Sequence, residues 1–422
     1  MAIDPEELKK RRAQRKAERL AAQRKLTIRL CVAGAVLLLC GILILCVSLK
    51  NNSSNSEQTT QPPVVSQTAP EEPETVPNPT TVVHFAAAGD LNVTAKVVAA
   101  GGSDYDYTGV FMDVAWLLAD ADLATVNFEG NLCGAPYGSS ASAPQNLMTA
   151  LSRAGVDMIQ LANSYAINRG VSGLHATIDG VRQAGMEPLG VFANADEYKE
   201  KQGFSLFEAE GIRIAVVSFT KGMDGTTLPP GNEKCVNVLY SDYDSVYQTV
   251  DEEAITTVLD AVEEEAPDIT VALLHWGSEY NDNISDSQKK IVRLMQEKGV
   301  DAIIGTHPHY VQEISYDEQT GMLVAYSLGD FVGDADRSGS EYSIILDMEI
   351  TKDHESGATT ITGYQYTPVY TVVDGDKPVR VVRIREAMAA FENGHMNAVS
   401  QEIYDSMQYA LERIEERIKG SP

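Results

Sequence analysis

Cysteine is scarce in this chain. There are five in 422 residues; Cys31, Cys40 and Cys46 sit in one apolar run, and only Cys133 and Cys235 lie beyond it. No CxxC pair occurs, which excludes a thiolate metal centre or a disulfide-stapled scaffold and leaves any metal to oxygen and nitrogen ligands. Cys133 and Cys235 could close one bridge or stand apart as core residues, and spacing does not decide between these. Positive charge is short as well: 33 Lys and Arg stand against 60 Asp and Glu, a formal net of −27. Ten of those bases, with four acids, fall in residues 1–29, a local net of +6, so residues 30–422 carry −33 of the total of −27. So acidic a body repels polyanions, and no basic groove with interleaved aromatics offsets it, which disfavours nucleic-acid binding. Internal repeats are absent, which excludes a solenoid.

Long apolar runs are also missing, with one exception. LCVAGAVLLLCGILILCVSL, residues 30–49, contains no charge and matches the roughly 20 residues that a bilayer-spanning helix needs. No small-x-small cleavage site closes it, and Leu39 and Leu45 precede Cys40 and Cys46 where a lipoprotein signal requires a small residue. The expectation is a retained single-pass transmembrane helix, with basic residues 1–29 in the cytoplasm and everything after Lys50 outside the cell. Residues 50–80 are polar and proline-rich and read as an extracellular tether.

From Thr81 short apolar runs alternate with helical patterns. Strands are expected at VVHFAAA, ATVNF, MIQLA, RIAVVSF, ITVALLH, AIIG, MLVAYSL and YSIILDMEI, with further strands in TTITGYQYTPVYTVVDG. GLHATIDGVRQAG and DSQKKIVRLMQEKG read as helices, the second with Ile291, Leu294 and Met295 on one face and Gly299 as its stop. This alternation predicts a layered α/β domain with parallel and antiparallel pairing over residues 81–375. A helical extension, 376–422, follows, and in it Ile403, Met407, Leu411, Ile414 and Ile418 form a packing stripe.

The strands end in polar residues. Asp90 follows VVHFAAAG, Glu129 follows ATVNF, Asn163 follows MIQLA, His275 ends ITVALL, and His307 and His309 follow AIIGT. The chain has only seven histidines, and Pro308 between two of them is expected to hold His307 extended, so that both rings project to one side. In open α/β sheets ligands bind beyond the carboxyl ends of strands. Three imidazoles and two carboxylates there suit a divalent transition ion (Mn, Zn or Fe) and suit calcium poorly. Each residue alone has a plainer reading, as helix cap, solvated acid or satisfied core histidine. Glu279 is expected on the surface or behind the ligands, Tyr280 and Gln312 at a pocket mouth, and His84, His175, His354 and His395 away from the site.

The order GDLN (89–92), VNFEGNL (126–132), LANSYAINRG (161–170), LLHWGSEY (273–280), GTHPHYVQ (305–312) and YSLGDFV (326–332) resembles the CapA family of capsule or poly-γ-glutamate synthesis proteins. That family is built on the calcineurin-like metallophosphatase fold. The resemblance covers roughly His84 to Val332. It implies an α/β sandwich of two or four layers with a metal-binding edge. Asp90, Glu129 (as the bridging carboxylate), His275, His307 and His309 would hold one or two ions, and the substrate would be a phosphoester or anionic polymer. It also implies a membrane-associated role beside envelope proteins of polymer synthesis, export or anchoring.

The sequence departs from that family in places. Asn92 stands where the first motif has His, and Asn163-Ser164-Tyr165 stands where the family has Asn-Asn-His. Asn168 replaces an Asp, and Asp330 replaces an Asn. Ser164 is a poor metal ligand, and Tyr165, in the place of the residue that protonates a leaving group, has an ordinary pKa of about 10. Asn163 and Tyr165 remain the catalytic candidates. The alternative is a non-catalytic member, a structural or polymer-binding subunit of an envelope complex.

Overall fold

The computed structural model describes residues 79–395 and 398–420, all within one compact unit. The basic segment, the apolar run 30–49 and nearly all of the tether lie outside the described residues. Among the described residues no helix is long and apolar enough to cross a membrane.

Strands β1 (Thr80–Asn92), β2 (Leu123–Glu129), β3 (Met158–Gln160), β4 (Glu187–Leu189), β5 (Phe204–Ala209), β6 (Ile212–Thr220) and β7 (Ile269–His275) come first. They are followed by β8 (Ala302–Thr306), β9 (Ile314–Tyr316), β10 (Leu323–Ala325), β11 (Asp330–Val332), β12 (Tyr342–Asp353), β13 (Thr359–Val372) and β14 (Arg380–Arg383). They build two mixed sheets, ordered β14-β13-β12-β1-β2-β3-β4, with β11 beside β1, and β5-β6-β7-β8-β10-β9. Strands β1 to β4 run parallel, as do β6, β7, β8 and β10; the antiparallel strands lie outside these runs. Parallel strands covered on both faces are buried along their length, and β2 and β7 are buried at every residue.

The period of two sorts each strand's side chains. In β2, Ala124, Val126 and Phe128 pack with Leu147 and Leu151 of helix α1 (Gln145–Ala154) and with Leu174 and Ile178 of α2 (Gly170–Gln183). Thr125, Asn127 and Glu129 therefore face away from those helices. In the second sheet Ala272, Leu274 and Ile303 pack with Ile255 and Leu259 of α3 (Glu252–Glu265) and with Ile291 and Met295 of α4 (Asp286–Glu297). Helix α4 starts on a Ser285–Gln288 capping box, and Gly299 beyond it has φ +75°. The layers run helix, sheet, sheet, helix, and polar groups join the facing sheets: the Thr306 hydroxyl donates to Gln160 Oε1 at 3.4 Å.

The sheets share a device at their opposite ends. Asp122, Asp157, Asp268 and Asp301 each stand one residue before a strand. Each donates its backbone N–H to the carbonyl of a residue on the neighbouring strand and accepts that same residue's N–H on its carboxylate. The partners are His84, Ala124, Arg213 and Thr270. Residues beyond 375 supply β14 to the first sheet, helix α5 (Ile384–Glu392) and helix α6 (Gln401–Ile418). Ile403, Met407, Ile414 and Ile418 are buried as the stripe predicts, with Ala410 where Leu411 was expected; Leu411 is half-buried.

Candidate metal centre

Where the two sheets end side by side, the strand-end residues meet. Glu129 from β2 and His275 from β7 face each other across the layers, with Oε1 and Nε2 2.9 Å apart. The other nitrogen of that ring, Nδ1, is 3.3 Å from the Thr220 hydroxyl, which fixes its orientation. Asn127, two residues before Glu129 and on the same face, donates its amide to Asp90 Oδ1 at 2.6 Å and to Glu129 Oε1 at 3.2 Å. The His275 and His307 ring centres lie 4.4 Å apart, those of His307 and His309 6.1 Å. Candidate ligand atoms fall into three triads, each with its atoms within 4.8 Å of one another: Glu129–His275–His307, Asp90–His309–Asp330 and Glu279–His307–His309. All five ligands expected from the strand ends are therefore gathered.

The backbone of the histidine pair differs from the expectation of an extended stretch. His307 has φ +93° and His309 φ +59°, both in the left-handed region. The rings are tilted by 49°, not parallel. Such φ values cost a non-glycine residue on the order of 1–3 kcal/mol, and tertiary contacts hold them. The His307 N–H donates to Asp90 Oδ2 at 3.1 Å, and the Pro308 carbonyl accepts from the Tyr280 N–H at 2.8 Å.

Three participants were not expected as ligands. Glu279, although exposed, joins His307 and His309. Asp330 Oδ1 lies 2.7 Å from His309 Nδ1, with Asp90 Oδ2 3.6 Å from the same atom. Lys221, just past β6, donates Nζ–H to the Gly277 carbonyl at 2.8 Å and lies 3.4 Å from His307 Nε2. Lys221 follows RIAVVSFT and Asp330 follows MLVAYSLG, so both stand at the ends of expected strands like the other site residues, whereas Glu279 lies in the loop beyond His275.

Asn163 is buried nearby, but its amide nitrogen donates to Asn127 Oδ1 and the Phe128 carbonyl, and its oxygen accepts from the Tyr165 N–H. It braces the loop. Tyr165 is half-buried; burial pushes its hydroxyl's pKa well above the usual phenol value, with Glu129, Asp224 and Glu279 adding to the effect. Tyr280 stacks on His309 at 5.0 Å, and the buried Gln312 donates to the Asn281 carbonyl. His84 pairs with Asp347, His354 bonds to Thr81, and His175 lies on α2, all apart from the cluster. Cys133 and Cys235 are free thiols.

Burial dominates the electrostatics. It raises Asp90 to about 7, helped by the charge of Glu129, and raises Glu129 itself to about 7. Burial lowers His275 to about 3 and holds His307 well below the usual imidazole value. His309 also loses hydration, but its bond to Asp330 and the charges of Glu129, Asp330 and Asp90 outweigh that loss and lift it to about 11. Burial pulls Lys221 below lysine's usual value, against Glu279 and Asp224. Neutral His275 and His307 beside crowded, dehydrated carboxylates suit a divalent transition ion, which would displace the proton of His309, and the donor set fits one.

The model of a family described as bacterial capsule synthesis protein PGA_cap matches residues 84–335. The chain is similar to the capsule biosynthesis protein CapA of Bacillus anthracis, at 28% identity over 251 residues, 57% of this chain and 56% of that protein. It is also similar to the PGA biosynthesis protein CapA of Bacillus subtilis (strain 168), at 26% identity over 232 residues, 54% of this chain and 56% of that protein. The match thus spans little more than half the length of either curated relative. Among solved structures it is similar to a calcineurin-like phosphoesterase, YfkN, of Bacillus subtilis, with TM-score 0.42 and 13% identity over 80% of this chain and 99% of that one. A putative 5'-nucleotidase from Staphylococcus aureus gives TM-score 0.44 and 12% identity over 79% and 58%.

Proposed function

The chain belongs to the family of bacterial capsule synthesis proteins described as PGA_cap, and from that premise we propose that it serves the synthesis or anchoring of a poly-γ-glutamate-type polymer at the cell envelope. In this reading residues 30–49 hold it in the membrane, residues 81–422 stand outside beside polymer synthesis or export proteins, and the clustered side chains form a divalent-metal site of calcineurin-like phosphoesterase type. The observation that carries it is the convergence of Asp90, Glu129, His275, His307 and His309 from separate strand ends into triads with ligand atoms within 4.8 Å.

Asp90, His309 and Asp330 would hold one ion, and Glu129, His275 and His307 offer a second place. A bound Mn, Zn or Fe ion would act as a Lewis acid on a phosphoryl oxygen and make water a competent nucleophile near neutral pH. The protein's part is to keep the ligands in register. Asn127 locks Asp90 to Glu129, Thr220 orients His275, and Asp90 holds the His307 backbone. Tyr165, with its proton held more tightly than an ordinary phenol's, donates hydrogen bonds and does not accept protons.

That same hydroxyl favours a second reading, a member that binds its ligand without turning it over, since Tyr165 is a weak acid in the leaving-group position and both polar ends of Asn163 are committed. One preparation separates the two. The full-length chain is analysed for Mn, Zn and Fe and assayed on an activated phosphodiester before and after chelation. Bound metal with chelator-sensitive hydrolysis, both lost in the His307→Ala/His309→Ala double variant, supports the enzyme. Bound metal without hydrolysis selects the binding member, and absence of metal overturns both.

A further inference from the structure

The metal cluster of so acidic a chain is flanked by two cations. Lys221 lies at one end of its row of rings. Its backbone N–H is anchored on the His275 carbonyl at 2.7 Å, and its ammonium is steered by the Gly277 carbonyl at 2.8 Å and by the face of Tyr247, 4.6 Å from the ring centre. That places Nζ 3.4 Å from His307 Nε2. His309 comes next in the row, then Tyr280 stacked on it, then Arg337, whose guanidinium lies 4.1 Å over the Tyr280 ring. Lys221 is half-buried and Arg337 exposed.

We propose that Lys221 is the contact for a phosphoryl oxyanion at the cluster and that Arg337 receives further negative charge on the same substrate outside it. The site then takes a phosphorylated end group carried on an anionic chain, phosphate inward. This rests on the metal-site reading above and names its substrate class. A compact ammonium held at a fixed point beside the ligands suits a phosphoryl oxygen, and an exposed, planar guanidinium lying on the Tyr280 ring can meet successive anionic groups as they arrive. Arg337 also offsets, locally, the repulsion that the acidic body exerts on such a chain.

Calorimetry on the full-length, Mn²⁺-loaded chain tests this with two probes, inorganic phosphate and tripolyphosphate. Lys221→Gln keeps a donor for the Gly277 carbonyl and removes the charge. It is expected to weaken both probes at least about tenfold with metal content unchanged, while Lys221→Arg recovers most of the loss. Arg337→Ala is expected to leave phosphate within about twofold and to weaken tripolyphosphate about fivefold or more. Phosphate affinity unchanged in Lys221→Gln, or equal losses for both probes in Arg337→Ala, overturns the proposal and leaves the metal reading standing. Wild-type chain that takes up no Mn²⁺ overturns the metal reading, and the proposal with it.

Discussion

Residue 330 decides what His309 can do. With a carboxylate there, His309 sits between two acids, 2.7 Å from Asp330 and 3.6 Å from Asp90, and its protonated form is favoured up to about 11. Asp330→Asn removes one of those charges, so the imidazolium loses support and its pKa must fall. NMR titration of His309 in the metal-free protein is expected to show a drop of at least about one unit, equivalent to ~1.4 kcal/mol; an unmoved titration would deny the pair its electrostatic role. At the proposed metal site the same groups would set the pH dependence of metal uptake. Asp90 and Glu129, at about 7, and His309, at about 11, must lose protons before they can bind an ion. Protons and metal therefore compete, and Mn²⁺ affinity is expected to climb from roughly pH 5 to roughly pH 8 with proton release. Calorimetry in buffers of different ionisation heat measures this, and a flat affinity over that range would contradict it. Ligands were legible in the sequence where they end a strand, because burial beyond a strand's carboxyl end leaves few roles for a polar group. Asp330 read only as a substitution, although it follows MLVAYSLG as Asp90 follows VVHFAAAG, and Glu279 read as an acid on the surface or behind the ligands. The left-handed turn at His307 was not legible, because Asp90, 217 residues away, holds it.

At the scale of elements, register is fixed by the aspartates that precede β2, β3, β7 and β8. Each forms a two-point clamp on its neighbour: one carbonyl filled, one N–H capped. Asp157→Ala strands the buried Ala124 N–H and is expected to cost about 1–3 kcal/mol in chemical denaturation, whereas Asp157→Asn, which keeps an acceptor, should cost clearly less. Equal losses for the two would mean that the clamp's acceptor is unimportant. On the other side, Gly89 lets the 327–329 segment cross β1, for a Cβ there would lie 1.8 Å from the Gly329 carbonyl oxygen. That contact also delivers the Gly329 carbonyl to the Asp90 N–H at 3.0 Å. The long strands and the helices α2, α4 and α6 announced themselves by period, and α4 also by its Gly299 stop. The three-residue strands β4, β9 and β11 did not, because unlike β3 and β10 they lie in no longer apolar run and exist only through their partners.

For the molecule as a whole, the question is why residues beyond 375 should bear on a site built before residue 335. Helix α6 supplies the connection. Arg417, largely buried, lies over Tyr310 at 4.7 Å and Tyr342 at 5.7 Å, and its Nη2 is 3.4 Å from Asp282. Tyr310 meets Tyr280 edge to face at 5.9 Å, and Tyr280 stacks on His309. The loop that carries Glu279 and Tyr280 is thus gripped from outside by the last helix and from inside by the Pro308 carbonyl. The Asp282 ion pair, with its carboxylate half-exposed, adds little by itself; the cation–π contacts contribute about 0.5–2 kcal/mol. Arg417→Ala is therefore expected to lower stability by about 1–3 kcal/mol and, by loosening Tyr280 and Glu279, to weaken Mn²⁺ binding severalfold. Arg417→Lys restores the charge beside Asp282 but not the planar stacking, so it should recover less than half of either loss. The two readouts separate a clamp from a mere prop. If stability falls while metal affinity stays at the wild-type value, α6 supports the sheet alone, and the loop keeps its ligand geometry through the inner contact to Pro308.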